Sequence, residues 1–234
     1  MNLVANWYNN IRQNWRDAAT DELFTKVFWG NFIFCFAIYM VAIQWLKFNS
    51  TRMGTMVNDP VYYLCEPHDF SLYIGFCTYS VTIFTILYLL QYPHLLHRGF
   101  TGFTVLFLIR AFCIFMIPLS PSTDMIRLHD PFTNFVGAED SITNDLFFSG
   151  HMADMAFFFL LVSDRWARRY ILVAMICLGI MLVWQRVHYT LDVLAAPIFS
   201  YFCFWAFVQK DVIWSPFLKK AESEDEKSSP GHVL

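Results

Sequence analysis

Six long apolar stretches, at residues 27–48, 70–91, 102–120, 147–163, 170–187 and 188–209, dominate the chain and leave it few folds to choose from. A helix needs about 20 mostly apolar residues to cross the hydrocarbon core of a bilayer, where a backbone without water must satisfy its own hydrogen bonds. The pattern predicts an all-α polytopic membrane protein with six transmembrane helices. The last two stretches abut at a polar turn around Gln185, Arg186 and His188, so one long run is cut there into a helical hairpin. The composition agrees, with 57% hydrophobic and only 15% charged residues, far from a soluble average. Trp29, Trp45, Lys47, Tyr92, Trp166 and Trp205 stand near stretch ends, where interfacial anchors belong.

The flanks read differently. Residues 1–26 carry Trp7, Trp15, Arg12, Arg16, Asp17, Asp21 and Glu22 without a long apolar run, which predicts a cytoplasmic or interfacial lead-in helix rather than a cleaved signal peptide. Residues 210–234 end in KKAESEDEKSSPGHVL, the composition of a disordered cytoplasmic tail. Between them, 27–209 forms the membrane domain. A net charge of −3 with scattered Lys and Arg gives no basic surface for nucleic acid. Cys35, Cys77, Cys113, Cys177 and Cys203 lie at irregular spacings inside apolar runs and read as packing residues. Cys65 sits alone in a polar loop.

Counting cations sets the expected orientation. With the N-terminus inside, the inner segments hold Arg12, Arg16, Lys26, Arg98, Arg165, Arg168, Arg169, Lys210, Lys219, Lys220 and Lys227; the outer loops hold Lys47, Arg52, Arg127 and Arg186. That bias predicts both termini in the cytoplasm. The polar loops 49–69 and 121–146 and the turn at 186–188 then share the periplasmic or lumenal face, with most of the remaining Asp, Glu and His. Ionisable groups at a membrane edge are costly and usually functional.

Two constellations stand at that face. Asp145-Leu-Phe-Phe-Ser149-Gly150-His151 opens the fourth span, where Gly150 permits close approach to the backbone and free N–H groups at a helix start attract anions. His188-Tyr189-Thr-Leu-Asp192 opens the sixth, and four residues make one helical turn, so Asp192 shares a face with His188 and can fix its tautomer. Both spans run from outside to inside, so their N-termini can meet, and Arg110 or Arg186 would add the cation a phosphate needs. Arg110 alone is equally readable as a snorkelling or helix-pairing residue. His188 and Asp192 could also seed a metal site, but two ligands with no third close by in sequence argue against one.

Residues 143–201 resemble the sphingomyelin synthase-related branch of the phosphatidic acid phosphatase type 2 (PAP2) superfamily, whose motifs run CGDxxxSGHT and HYTxDVxxxY. Asp145, Ser149, Gly150, His151, His188, Tyr189, Thr190, Asp192 and Val193 match; Thr143, Asn144, Met152 and Pro197 depart from them. Glu66-Pro67-His68-Asp69 is a loose version of the branch's proline-rich outer motif, and Arg110 resembles the arginine of its third span.

The resemblance implies catalysis by His188, His151 and Asp192 without a cofactor or metal. His188 would attack phosphorus, Asp192 would orient it, and His151 would protonate the leaving lipid oxygen. Substrate contacts would fall to Asp145, Ser149, Gly150, Arg110, Tyr189 and Arg186. The partners would be a phospholipid donor and a lipid alcohol, ceramide- or glyceride-like, or water. A lipid alcohol makes a headgroup transferase; water makes a lipid phosphate phosphatase or a phospholipase C-type hydrolase. Monoester phosphatases of the superfamily carry a KxxxxxxRP motif and an Arg six residues before the second His. Neither is present, and position 182 is Leu. A monoester carries about −1.5 to −2 charge and a diester roughly −1, so the missing cations favour a diester. A non-catalytic lipid-binding protein, and more remotely a small transporter, are the competing classes.

Overall fold

A computed structural model describes residues 3–129 and 146–213; Asp145 and the tail beyond residue 213 lie outside the described residues. Among the described residues there are seven α-helices and no strand. They are α1 (Leu3–Ala19), α2 (Glu22–Ser50), α3 (Ser71–Leu89), α4 (Pro93–Met116), α5 (Gly150–Leu161), α6 (Arg165–Trp184) and α7 (Thr190–Cys203). A π-helical turn, Phe204–Gln209, extends α7.

Five of these elements are long and apolar enough to cross a membrane: α2, α3, α4, α6, and α7 with its π turn. The expected fourth span, 147–163, contains only the 12-residue α5, about 18 Å of helix. Local chemistry sets both of its ends. Ser149 caps the start, its Oγ accepting from Met152 N–H at 3.4 Å. Val162 is extended at the other end, and Asp164 Oδ1 already caps α6, accepting from Trp166 N–H and Ala167 N–H at 3.0 and 2.8 Å. The expected third span also shifts: α4 starts nine residues before position 102, at Pro93, whose fixed φ and missing N–H suit the first helical position. Its first turns hold His94, His97 and Arg98, which hydropathy alone excludes. A contact with α2 supports them, Asn31 Nδ2 donating to Thr101 Oγ1 at 2.9 Å and to His97 O at 3.3 Å.

The short α5 is the centre of the bundle. It packs against α3, α4, α6 and α7, and Ala153, Met155 and Phe157 along it are buried. α2 rests on α4 and leaves Ile33, Phe34 and Val41 exposed, as a lipid-facing helix does. α1 docks across the α3–α4 turn, with Trp15 Nε1 donating to Leu90 O at 2.8 Å and Asn14 Nδ2 to Gln91 O at 2.7 Å. The starts of α3, α5 and α7 and the ends of α2, α4 and α6 form one face, which carries both histidines. The other face carries the α3–α4 and α5–α6 turns.

Gln185 ties the histidine face together. Wholly buried at the end of α6, it accepts Phe70 N–H on Oε1 at 2.8 Å. Its Nε2 donates to Ser71 Oγ and Ile126 O at 3.0 and 3.2 Å, and Ile126 N–H returns a bond to Gln185 O. Ser71 in turn donates its hydroxyl and its N–H to Asp69 Oδ1, and those bonds hold the Asp69 carboxyl below the usual range. One amide thus joins α6, the start of α3 and the loop after α4. Gln185→Leu would strand several buried polar groups at once, and unfolding should become easier by about 2–4 kcal/mol. Detergent-based denaturation of the purified variant checks this; an unchanged midpoint would remove Gln185 from the scaffold.

Candidate active site

The site grows from the junction of two helix starts. Ser149 N–H donates to Asp192 O at 3.2 Å, which joins the residue before α5 to the first turn of α7. The two sequence constellations therefore meet. His188 and Asp192 are both buried, and His151 is half-buried.

α7 begins at Thr190, so His188 lies two residues ahead of the helix rather than within it. Its closeness to Asp192 comes from the cap, not from a helical turn. Tyr189 is the N-cap residue, and Asp192, at the third helical position, reaches back so that its Oδ2 accepts Tyr189 N–H at 3.0 Å. The same oxygen stands 3.7 Å from His188 Nδ1, beyond hydrogen-bonding range, and among the described residues neither Nδ1 nor Asp192 Oδ1 has a hydrogen-bond partner. A modest turn of the imidazole would close the pair.

Arg110 lies in the buried face of α4 near its end. Its Nε donates to Phe148 O at 2.8 Å, and Phe148 stacks on Phe199 of α7 with ring centroids 4.4 Å apart. The guanidinium lies over Gly150: a Cβ there would sit 3.1 Å from Arg110 Cζ and 3.2 Å from Nε. Only glycine lets a cation rest this close to the backbone between Ser149 and His151. The structure thus places Arg110 against the first motif. One turn further along α5, Asp154, a residue the sequence reading missed, lies within electrostatic reach of that guanidinium.

The other expected contacts are engaged within the fold. Ser149 is fully buried and caps α5. Tyr189 is buried; its hydroxyl donates to Ser120 O at 2.8 Å and accepts Val57 N–H at 3.2 Å. Arg186, in the left-handed region at φ 60°, pairs with Asp124 at 2.7 Å and donates to Tyr62 O and Cys65 O. Asp145 is outside the described residues.

The loop before α3 supplies what the sequence reading missed. Asp59 is buried and accepts Thr190 N–H on Oδ2 at 2.6 Å and Thr190 Oγ1–H on Oδ1 at 3.1 Å, capping α7 from another segment. It also caps the short turn Pro60–Tyr63 through Val61 N–H. Tyr62, on that turn, donates its hydroxyl to His188 O at 3.1 Å and stacks on Tyr189. Burial first, then the charge of Asp59, raises the Tyr62 phenol well above its ordinary value, so it remains a donor. The Asp59-Pro60 pair was readable as a local cap, but nothing in the sequence announced Thr190 as its second client. Asp59→Ala should lower turnover about tenfold and stability by about 1–2 kcal/mol, with Asp59→Asn retaining most of both. Paired activity and unfolding measurements on the two variants check this, and an Ala variant that behaves as wild type would remove Asp59 from the support of His188.

The Ser149–Asp192 bond thus sets the start of α5, with the Arg110 guanidinium over Gly150, beside the start of α7, which His188 precedes. Residues 143–209 match the family model for the PAP2 superfamily C-terminal domain. The matched stretch holds all of α5, α6 and α7, and with them Ser149, Gly150, His151, His188 and Asp192. No curated protein and no solved structure matches the chain. Among the described residues no cluster of three or more His, Cys, Asp or Glu has metal-binding geometry. Beside the candidate site a mostly apolar groove of about 490 Å³ opens between α6 and α7, lined by Tyr62, Met152, Gly179, Val183, Val193 and Pro197 among others.

Proposed function

We propose that the protein is a membrane enzyme acting on lipid phosphate esters, and that it moves the phospho-headgroup of a glycerophospholipid onto a lipid alcohol of ceramide or glyceride type. The PAP2 match supports lipid phosphatase-type chemistry at the level of the superfamily. The Ser149–Asp192 backbone bond is the observation that carries the reading, because it brings the two histidine motifs to one point.

In the first half-reaction a ring nitrogen of His188 forms a bond to phosphorus while the bond from phosphorus to the glyceride oxygen breaks, and His151 gives that oxygen its proton. Asp192, beside Nδ1, steadies the charge on the His188 ring. In the second half, the acceptor hydroxyl passes its proton to His151 and bonds to phosphorus as the His188 bond breaks. Arg110 and the N–H groups at the start of α5 offset the negative charge that builds on the phosphoryl oxygens.

Two observations favour a diester with lipid chains. Leu182 is fully buried in the apolar core and Arg186 is committed to Asp124 and two carbonyls, so neither supplies the extra cation that a monoester calls for. The α6–α7 groove offers an apolar path beside the site for an acyl chain.

The test is product identity. Purified protein would be incubated with fluorescent ceramide and either phosphatidylcholine or phosphatidylethanolamine, and the lipids separated by chromatography. A fluorescent phosphosphingolipid is the expected product. Breakdown of the donor without transfer would replace transfer by hydrolysis, and no breakdown of either donor would point to a lipid-binding protein without turnover.

A further inference from the structure

The face opposite the histidines carries three arginines for which the site has no use. Arg165, Arg168 and Arg169, on the first turns of α6, line a groove of about 340 Å³ together with Phe159, Ser163 and Leu172. All three arginines are exposed, and among the described residues none forms an ion pair with a carboxylate. The nearest acid in sequence, Asp164, is occupied as the α6 cap. Aromatic faces hold two of the cations in place, Arg168 over Phe159 at 4.4 Å and Arg169 over Trp166 at 4.8 Å. Ser163 is fixed by a 2.7 Å hydrogen bond with the Tyr88 hydroxyl, which steadies the turn between α5 and α6.

The surroundings say what kind of anion fits. Trp166 and Tyr170 are exposed beside the arginines, as aromatic residues are where a membrane meets water. Directly beyond them the outer side of α6 is exposed and apolar through Val173, Ile176 and Ile180. A soluble anion would use only the three cations, whereas a lipid would use both features. We infer that this groove binds the headgroup of an anionic phospholipid of the adjacent leaflet, its acyl chains lying along α6. The inference is independent of the reaction at the other face.

The protein in detergent, titrated with phosphatidylglycerol or with phosphatidylcholine of the same chains and read by native mass spectrometry, tests it. Wild type should retain phosphatidylglycerol about fivefold or more over phosphatidylcholine. That preference should vanish in Arg165→Gln/Arg168→Gln/Arg169→Gln and persist in the triple Lys variant. The wild type alone also decides, since about 0.5 M salt should erase a preference built on exposed charges. Equal retention of the two lipids by wild type, a preference surviving in the Gln variant, or one unmoved by salt would overturn the assignment. Displacement of the lipid by millimolar inorganic phosphate would also overturn it, in favour of a site for free anions.

Discussion

His188→Ala should leave a folded protein whose turnover is lower by a factor of about 10³ or more. The backbone duties of His188 survive the substitution, because Tyr62 donates to its carbonyl oxygen and its N–H points to Leu182 O at 3.4 Å. Among the described residues the imidazole makes no hydrogen bond through Nδ1, so the substitution breaks none there. An unfolding midpoint close to wild type with abolished turnover is the expected pair of results. The companion variant His151→Ala separates the two roles. If His151 protonates the leaving oxygen, a donor whose phosphate ester carries an acidic phenol as leaving group needs no such proton. That donor should restore much of the first step in His151→Ala and none in His188→Ala. Acid-labile phosphate trapped on His151→Ala and absent from His188→Ala would fix the nucleophile. Turnover retained by His188→Ala would end its role as nucleophile.

Arg110→Met carries the second large effect. It removes the cation lying over Gly150 and leaves Phe148 O, buried behind the site, without its donor. Charge-assisted contacts to phosphate oxygens are the strong ones, and kcat/KM for the phospholipid donor should fall by about 10²- to 10³-fold. Gly150→Ala approaches the same place from the other side. Its methyl would meet the guanidinium at 3.1 Å, so the cation must retreat by a few tenths of an ångström. A smaller loss of the same kind, with donor affinity weakened more than acceptor affinity, is expected. Should Arg110→Met lower stability while leaving kcat/KM untouched, the arginine is a helix-pairing residue and the phosphate is held by other groups.

Periodicity and composition made the membrane helices legible because a bilayer imposes length and polarity on each helix separately. What resisted was set by contacts between distant segments. The start of α4 at Pro93 depends on Asn31 of α2 meeting Thr101 and the His97 carbonyl, which no hydropathy window contains. The two histidine motifs were readable as a pair, yet the physical reason given for His188 and Asp192 was a helical turn, and the observed one is a cap reaching backward from Asp192. Arg110 was ambiguous in sequence because a lone arginine in an apolar helix has several uses; its place over Gly150, which no sequence pattern announces, sets it against the first motif. Arg186 was read as a cation for phosphate and Tyr189 as a substrate contact through the motif it matches. Their partners, Asp124, Tyr62, Ser120 and Val57, lie 62 to 132 residues away in the chain. Asp59 went unread for the same reason.

The brevity of α5 has a consequence for the lipid around it. At about 18 Å it stands among neighbours of about 28 to 30 Å, such as α3 and α6, and it joins α6 through a tight turn at the arginine face. Met152, in its first turn, lies against Gly179, five residues from the end of α6, so the two motifs meet a little over a helical turn inside that end. On the function proposed above, lipid phosphates would have to descend that far to reach the histidines, a dip that a bilayer meets by thinning or by admitting water. Membrane thickness then becomes a variable of the reaction: thin, fluid bilayers accommodate the dip, and thick, sterol-rich ones resist it.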